Sequence, residues 1–215
     1  MAFAITGQTG PTLQGNGSAA PVRLSKFGET VTHESSGQYF EQALNGQSYI
    51  YMIASQALLL SATTGGVPTV WNPAGSGVIF VPTKLTITYI SGTLVVGGVV
   101  IATTLNAGSS IGTAAPIVSF TQVAPKPAIR GTGFGSRCLF APSTCSFTAA
   151  PVVEYATNIN YNTTALVLAN GTHDFNGTLA YYPGTAMSIC YTVTTSTALF
   201  AISLSGLEVP VPPGS

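Results

Sequence analysis

Apolar and polar residues alternate with a period of two near the C-terminus of this chain. In residues 187–194 (MSICYTVT), Met, Ile, Tyr and Val alternate with Ser, Cys and Thr. The alternation resumes in residues 200–205 (FAISLS), after a turn around Ser196. Successive side chains of a β-strand point to opposite faces, so this spacing is typical of strands with one buried face. It predicts a hairpin whose apolar face points inward.

Similar short segments recur upstream, separated by turns that are rich in Gly, Pro and Asn. Strands are predicted at 78–82, 85–89, 94–103 and 117–123, and the apolar run 48–62 is compatible with a buried strand or a short helix. No long amphipathic helix and no internal repeat is visible in the sequence. This pattern indicates an all-β fold, which we expect to be a jelly-roll-like β-sandwich with an extended N-terminal arm.

The first forty residues differ from the rest of the chain. Residues 6–21 (TGQTGPTLQGNGSAAP) have no periodic apolar face, which is typical of an extended segment. We therefore expect two parts, an extended N-terminal arm at 1–40 and a β-sandwich or jelly-roll body at 41–215. A first strand or a short helix is predicted to begin near Tyr39. The Pro- and Gly-containing segment 124–151 is predicted to be a long loop that carries contacts.

Charge is scarce in this sequence and excludes several classes of partner. Six Lys and Arg balance six Asp and Glu, and charged residues make up 6% of the chain, against about 25% in an average soluble domain. Such a chain has no basic face for nucleic acid. Because near-zero net charge favours association, the composition predicts a protein that assembles with itself or with other proteins.

The strongest candidate for a membrane span is the segment 85–105, which carries no charge over 21 residues and therefore has sufficient length. Its internal order speaks against one, because the pairs Ser91-Gly92 and Gly97-Gly98 interrupt it and its first part alternates with period two. We predict strand, turn and strand here, and no membrane partner.

Side chains that carry chemistry are few. Cys138, Cys145 and Cys190 have an irregular spacing and are predicted to be small buried residues, with a Cys138–Cys145 bridge as the alternative. His173 and Asp174 lie in the sequence NGTHDFNG, which is typical of a polar loop tip. We therefore expect no enzyme, no catalytic residue, no bound metal and no cofactor.

Two stretches carry a resemblance. Residues 70–81 (VWNPAGSGVIFV) continue into 85–93 (LTITYISGT), and residues 179–186 (LAYYPGTA) precede an alternating strand and the closing 207–211 (LEVPV). Both stretches resemble small β-structural proteins encoded by tailed bacteriophages. The resemblance implies a jelly-roll protein of the virion, either a decoration or cement protein on the capsid or a part of a fibre or tail.

The leading expectation is a structural virion protein, namely a capsid-associated decoration, cement or minor capsid protein. Its partners are expected to be copies of itself, with a trimer favoured by the resemblance, and other virion proteins such as the major capsid protein. The expected location is the virion, assembled in the host cytoplasm, since the N-terminus lacks the pattern of a secretory signal.

The alternative is a receptor- or carbohydrate-binding module of a phage fibre or tail. In that case the 124–151 segment would line a site together with four aromatic residues: Tyr155, Tyr161, Tyr181 and Tyr182. The single tryptophan, Trp71, is predicted to be a core anchor at a strand end, with a sugar-stacking platform as the alternative. A secreted hydrolase on a β-sandwich is the least favoured hypothesis, because carboxylates are few.

Overall fold

The structure is a computed structural model, and it describes residues 39–60, 64–104, 117–120, 122–131, 133–147, 150–161, 170–193 and 197–212. The chain divides into two units between Phe40 and Glu41. Apart from Phe40, the first residue of the helix, all the described helical and strand residues belong to the second unit. The predicted arm at 1–40 lies outside the described residues except for its last two positions, and its extended form stays a prediction.

The described residues contain one short helix and many strands. The helix α1 (Phe40–Leu44) is followed by fourteen strands: β1 (Ser48–Gln56), β2 (Leu59–Leu60), β3 (Thr64–Gly66), β4 (Thr69–Asn72), β5 (Val78–Ser91), β6 (Gly97–Thr104), β7 (Ile117–Phe120), β8 (Lys126–Pro127), β9 (Leu139–Ala141), β10 (Thr144–Phe147), β11 (Val152–Tyr161), β12 (Asn170–Asp174), β13 (Thr185–Tyr191) and β14 (Leu199–Pro210).

Two five-stranded antiparallel sheets form the sandwich. The first sheet has the order β12-β5-β14-β1-β8 and the second has the order β11-β6-β13-β4-β9. The main core lies between them and contains the largest fully buried rings, among them Tyr51, Phe80, Phe140 and Phe200. The predicted all-β sandwich is confirmed.

The strand pairing follows the jelly-roll scheme. Eight strands, four from each sheet, pair like the two halves of a ribbon that is folded in the middle. The first of these strands in the sequence pairs with the last, the second with the second to last, and so on inward. These pairs are β1 with β14, β4 with β13, β5 with β12, and β6 with β11. The strands β8 and β9 extend the two sheets from within the long connection between β6 and β11. This folded-over ribbon is the topology of a jelly roll.

The predicted hairpin of the C-terminal third is wrong. The strands β13 and β14 lie in different sheets, because β13 pairs with β4 and β6 whereas β14 pairs with β1 and β5. Alternation specifies which side chains point inward but not which strand is the neighbour. Both strands point apolar residues into the same core from opposite sides. A hairpin within one sheet and two strands in opposite sheets therefore show the same alternating sequence pattern.

A third, small sheet covers the outer face of the second sheet. It has the order β2-β3-β10-β7, and Cys145 and Phe147 of β10 join a second apolar cluster with Val100 and Ala102 of β6 and Cys190 of β13. The strands β6 and β13 are therefore buried on both faces, although the polar alternation of residues 187–194 predicts one solvent-facing side.

The outer face of the first sheet has a different character. One row across four strands runs from Thr172 through Thr86 and Ser203 to Met52, and Met52 is 63% exposed. This row thus combines three small hydroxylated side chains with one exposed apolar side chain and carries no charge.

The remaining predicted elements can be compared directly. The run 48–62 contains the strand β1 rather than a helix, and the element near Tyr39 is the helix α1. The strands predicted at 78–82 and 85–89 are one continuous strand, β5, with a register shift opposite Ser205 and Gly206. The uncharged segment 85–105 is strand, turn and strand. None of the described helical residues forms a helix with the length and hydropathy needed to cross a membrane.

Candidate functional site

The only charged side chain in the described core is a carboxylate that is fully engaged by this chain. Glu208 of β14 is 4% exposed. The hydroxyl of Tyr51 donates to its Oε1 at 3.1 Å, and the hydroxyl of Ser136 donates to the same oxygen. The backbone N–H of Arg137 donates to Oε2 at 2.8 Å and that of Cys138 to Oε1 at 3.2 Å. Four donors compensate the loss of water around the buried charge.

These hydrogen bonds join two distant parts of the chain. Residues 136–138 belong to the long connection between β6 and β11, and Glu208 anchors them to the first sheet. Burial raises the pKa of the Cys138 thiol, and the nearby Glu208 carboxylate raises it further. Burial likewise raises the pKa of Tyr51 well above its ordinary value. Both groups therefore stay protonated at neutral pH, and Tyr51 remains a hydrogen-bond donor to the carboxylate.

A cleft of about 280 Å³ opens beside this carboxylate. Its walls include the turn after α1, the start of β1, the end of β14 and the segment 134–137. The hydroxyl of Tyr49 donates to the carbonyl of Gly135 at 3.0 Å, which fixes one wall to the other. Burial raises the pKa of Tyr49, so this bond persists at neutral pH.

An aromatic ring forms one wall of the cleft. Phe134 lies against Gly46, where an added Cβ would be 2.7 Å from the ring, and Gly46 has a φ of 69°. Both the close approach and the left-handed backbone require glycine at this position. The ring nevertheless remains 44% exposed. The cleft thus presents an aromatic surface whose ring packs against Gly46.

Three polar side chains of the cleft are available to a ligand. Within the described part of the chain, Asn45, Gln47 and Arg137 line the cleft and their side chains have no hydrogen-bond or ion-pair partner. Together they offer the donors of a guanidinium and the donors and acceptors of two amides.

A second polar centre joins the two stretches that carry the resemblance. Asn72 is 1% exposed, and its Nδ2 donates to the carbonyl oxygens of Val78 at 2.7 Å and Tyr181 at 2.9 Å. The hydroxyl of Ser76 donates to its Oδ1 at 2.5 Å, and the N–H of Gly184 donates to its backbone oxygen at 2.7 Å. The turn that follows β4 and the turn that precedes β13 are therefore one structural unit. Sequence reasoning assigned no role to Asn72.

His173 is not at a loop tip, which corrects the prediction for NGTHDFNG. It lies within β12, is 8% exposed, and contacts the rings of Tyr155 and Phe175. Its Nδ1 lies 2.8 Å from Oδ1 of Asn158, and its Nε2 lies 3.1 Å from the hydroxyl of Tyr155. The backbone N–H of Asn158 donates to the same Nδ1 at 3.3 Å, so the ring is held by contacts on both of its nitrogens. The residue connects β11 to β12, the edge strands of the two sheets.

All three cysteines are buried and free. Cys138 lies in the main core, and Cys145 and Cys190 lie in the second apolar cluster. The prediction of small buried residues is confirmed and the alternative bridge is not formed. Burial raises the pKa of Cys190 to about 12, so its thiol is unreactive.

The aromatic residues of the alternative hypothesis do not form a common site. Tyr161 and Tyr181 are buried in the main core, Tyr155 contacts His173, and Tyr182 is exposed at a turn. Trp71 is partly buried against the second apolar cluster, in agreement with its prediction as an anchor. The segment 124–151 is not one long loop as predicted, because it contains the strands β8, β9 and β10. It contributes Phe134 and Arg137 to the cleft, and the sequence did not single out these two residues.

Among the described residues, no group of three or more His, Cys, Asp or Glu side chains gathers in a way that would hold a metal ion. Comparison with known proteins gives no family model, no curated protein and no solved structure that matches the chain.

Proposed function

We propose that this protein is a structural component of a virion, a capsid-associated decoration, cement or minor capsid protein that binds copies of itself and neighbouring subunits. The observation that carries the proposal is the character of the surface. In the described part of the chain, eleven large apolar side chains are exposed. Exposed charged side chains number six: Lys84, Lys126, Arg130, Arg137, Glu154 and Asp174. Apolar surface in such excess over charge is typical of protein–protein contacts.

The edges of the sandwich support the same proposal. Exposed edge strands are commonly protected by lysine or other charges. The edge strand β11 begins with Val152 and Val153, which are 62% and 54% exposed, and Glu154 is the charged residue of this strand. A neighbouring subunit that covers this edge would satisfy its backbone groups and bury its two valines.

The jelly-roll topology is compatible with the proposal without deciding it. Viral capsid proteins use this fold, but so do lectins and cupins. Support comes in addition from the resemblance of residues 70–93 and 179–211 to phage β-structural proteins. The buried carboxylate of Glu208 favours a structural role too, since its hydrogen bonds anchor residues 136–138 to the first sheet.

Immunogold electron microscopy of virions from the source of the sequence tests this proposal. Antibodies against the purified protein should label particles in a regular pattern on the capsid. Label on tails or fibres alone would contradict the capsid assignment and favour the alternative. Label that is absent from particles would contradict a virion role altogether.

A further inference from the structure

We propose that the cleft between the turn after α1 and the segment 134–137 binds one pyranose ring of a neutral saccharide. This function goes beyond a structural role in an assembly. It also differs from the sugar site considered from the sequence, because none of the four tyrosines of that hypothesis lines the cleft.

The size of the cleft restricts the ligand. Its volume of about 280 Å³ lies just below the usual range of small-molecule sites, which is about 300–1,000 Å³. One six-membered ring with its hydroxyls is therefore the appropriate unit, and the rest of a longer glycan would extend into solvent.

The aromatic wall supplies the stacking surface. The face of an aromatic ring carries negative potential and attracts the weakly positive C–H groups of a sugar ring. Phe134 is 44% exposed and its ring lies against Gly46. A ring that already packs against the chain loses less conformational entropy on ligand binding than a fully free one.

The polar side chains supply the hydroxyl partners. Each sugar hydroxyl both donates and accepts, so a site for it needs donors and acceptors together. The amides of Asn45 and Gln47 offer both, and the guanidinium of Arg137 offers a planar set of donors. In the region that the structure describes, none of these three side chains is engaged elsewhere.

The charge of the cleft favours a neutral ligand. Arg137 and Glu208 are the charged residues of its lining, and their formal charges sum to zero. The Glu208 carboxylate partly offsets the attraction of Arg137 for an anion, and Arg137 likewise offsets the attraction of Glu208 for a cation. Glu208 itself already accepts four hydrogen bonds, so it contributes to the electrostatic potential of the cleft and does not bind the sugar directly.

Saturation-transfer NMR on the full chain tests the proposal with three probes, the methyl α-pyranosides of D-glucose, D-galactose and D-mannose. At least one probe should bind with a dissociation constant on the order of 1 mM, and transfer should be strongest to the C–H groups of one ring face. N-acetylneuraminic acid, as an anion of similar size, should bind at least about tenfold more weakly. Absence of binding by all three pyranosides at about 50 mM would overturn the proposal.

Variants locate the site. Phe134→Ala should weaken binding about tenfold or more, and Arg137→Lys, which keeps the charge but loses the planar donors, should weaken it as well. Tyr182→Ala is the matched control, because Tyr182 is an exposed aromatic residue (40%) that does not line the cleft. Both cleft residues are exposed, so their variants should fold. Unchanged affinity in Phe134→Ala, or an equal loss in Tyr182→Ala, would overturn the assignment to this cleft.

Discussion

At the scale of single residues, Glu208 shows how one carboxylate can connect a loop to a sheet. It is buried, and it accepts hydrogen bonds from Tyr51, Ser136 and two backbone N–H groups. Hydrogen bonds to charged groups contribute about 1.5–3 kcal/mol each, and an unsatisfied buried donor costs a comparable amount. The segment 136–138 should therefore depend on this residue for its position.

Replacing Glu208 by Gln tests this role. The amide NH₂ of Gln would face backbone donors, so we expect the free energy of unfolding to fall by about 2–3 kcal/mol in urea denaturation. Glu154→Gln, at an exposed carboxylate, should change it by less than about 0.5 kcal/mol. Equal stabilities of the two variants would contradict the role of Glu208.

His173 gives the protein a pH dependence with a definite sign. Burial lowers the pKa of His173 below its ordinary value of 6.5, partly offset by the Asp174 carboxylate, which raises it. The folded state thus binds fewer protons than the unfolded state once the pH falls below about 6.5. The stabilisation is complete above that pH and is lost progressively as the pH falls toward the pKa of the folded state.

Urea denaturation at about pH 7 and about pH 5.5 measures this effect. The wild-type protein should lose stability over this range, and His173→Gln should lose less. His33→Gln is the control, since His33 is the second of the two histidines in the chain. An identical slope for wild type and His173→Gln would show that another group is responsible.

At the scale of elements, Asn72 connects the turn after β4 with the turn before β13. Its side chain donates to one carbonyl of each side, Val78 and Tyr181, at a fully buried position. Asn72→Ala should leave both carbonyls without this donor and lower the free energy of unfolding by about 2–3 kcal/mol. Asn45→Ala, at an exposed asparagine, should have an effect within about 0.5 kcal/mol. Similar chemical denaturation midpoints for the two variants would contradict this account of the turns.

The strands themselves were largely accessible from the sequence, because a period of two follows from the geometry of the extended chain. Alternation located β13, β14 and part of β5 with the side chains that point into the core, and turn signals located β6. The strands that pair with β13 could not be predicted from the sequence. Its neighbours β4 and β6 are remote in sequence, and no local pattern specifies them. The burial of its second face was missed for a related reason, as the covering small sheet comes from distant segments.

The candidate site was missed although a signal for Glu208 was present. Continuing the inward positions Phe200, Ile202 and Leu204 by steps of two leads through Gly206 to Glu208. Gly206 leaves room for the ring of Phe80, since an added Cβ would be 2.3 Å from it. A carboxylate on the buried face of a strand predicts an anchoring role. Its partners at 136–138 come from an irregular segment, and no periodicity could have identified them.

At the scale of the whole molecule, the division between Phe40 and Glu41 suggests that the body folds by itself. Removal of residues 1–35 should leave a cooperative thermal transition, because all the described strands lie beyond this segment. The same deletion should weaken assembly if these residues contact neighbouring subunits. Loss of the cooperative transition would contradict the independence of the body.

We expect the 215-residue chain to associate with itself. The basis for this expectation is the excess of exposed apolar over charged side chains in the described body, together with a chain in which charged residues make up 6%. An interface that contains few ion pairs is held by apolar contacts and backbone hydrogen bonds. Its strength should therefore change little with ionic strength.

Sedimentation velocity of the full chain at micromolar concentration, in about 50 mM and about 500 mM NaCl, tests this claim most directly. A single homo-oligomer is expected under both conditions, and a trimer is favoured over a dimer by the resemblance to virion proteins. A monodisperse monomer at both salt concentrations would contradict the claim.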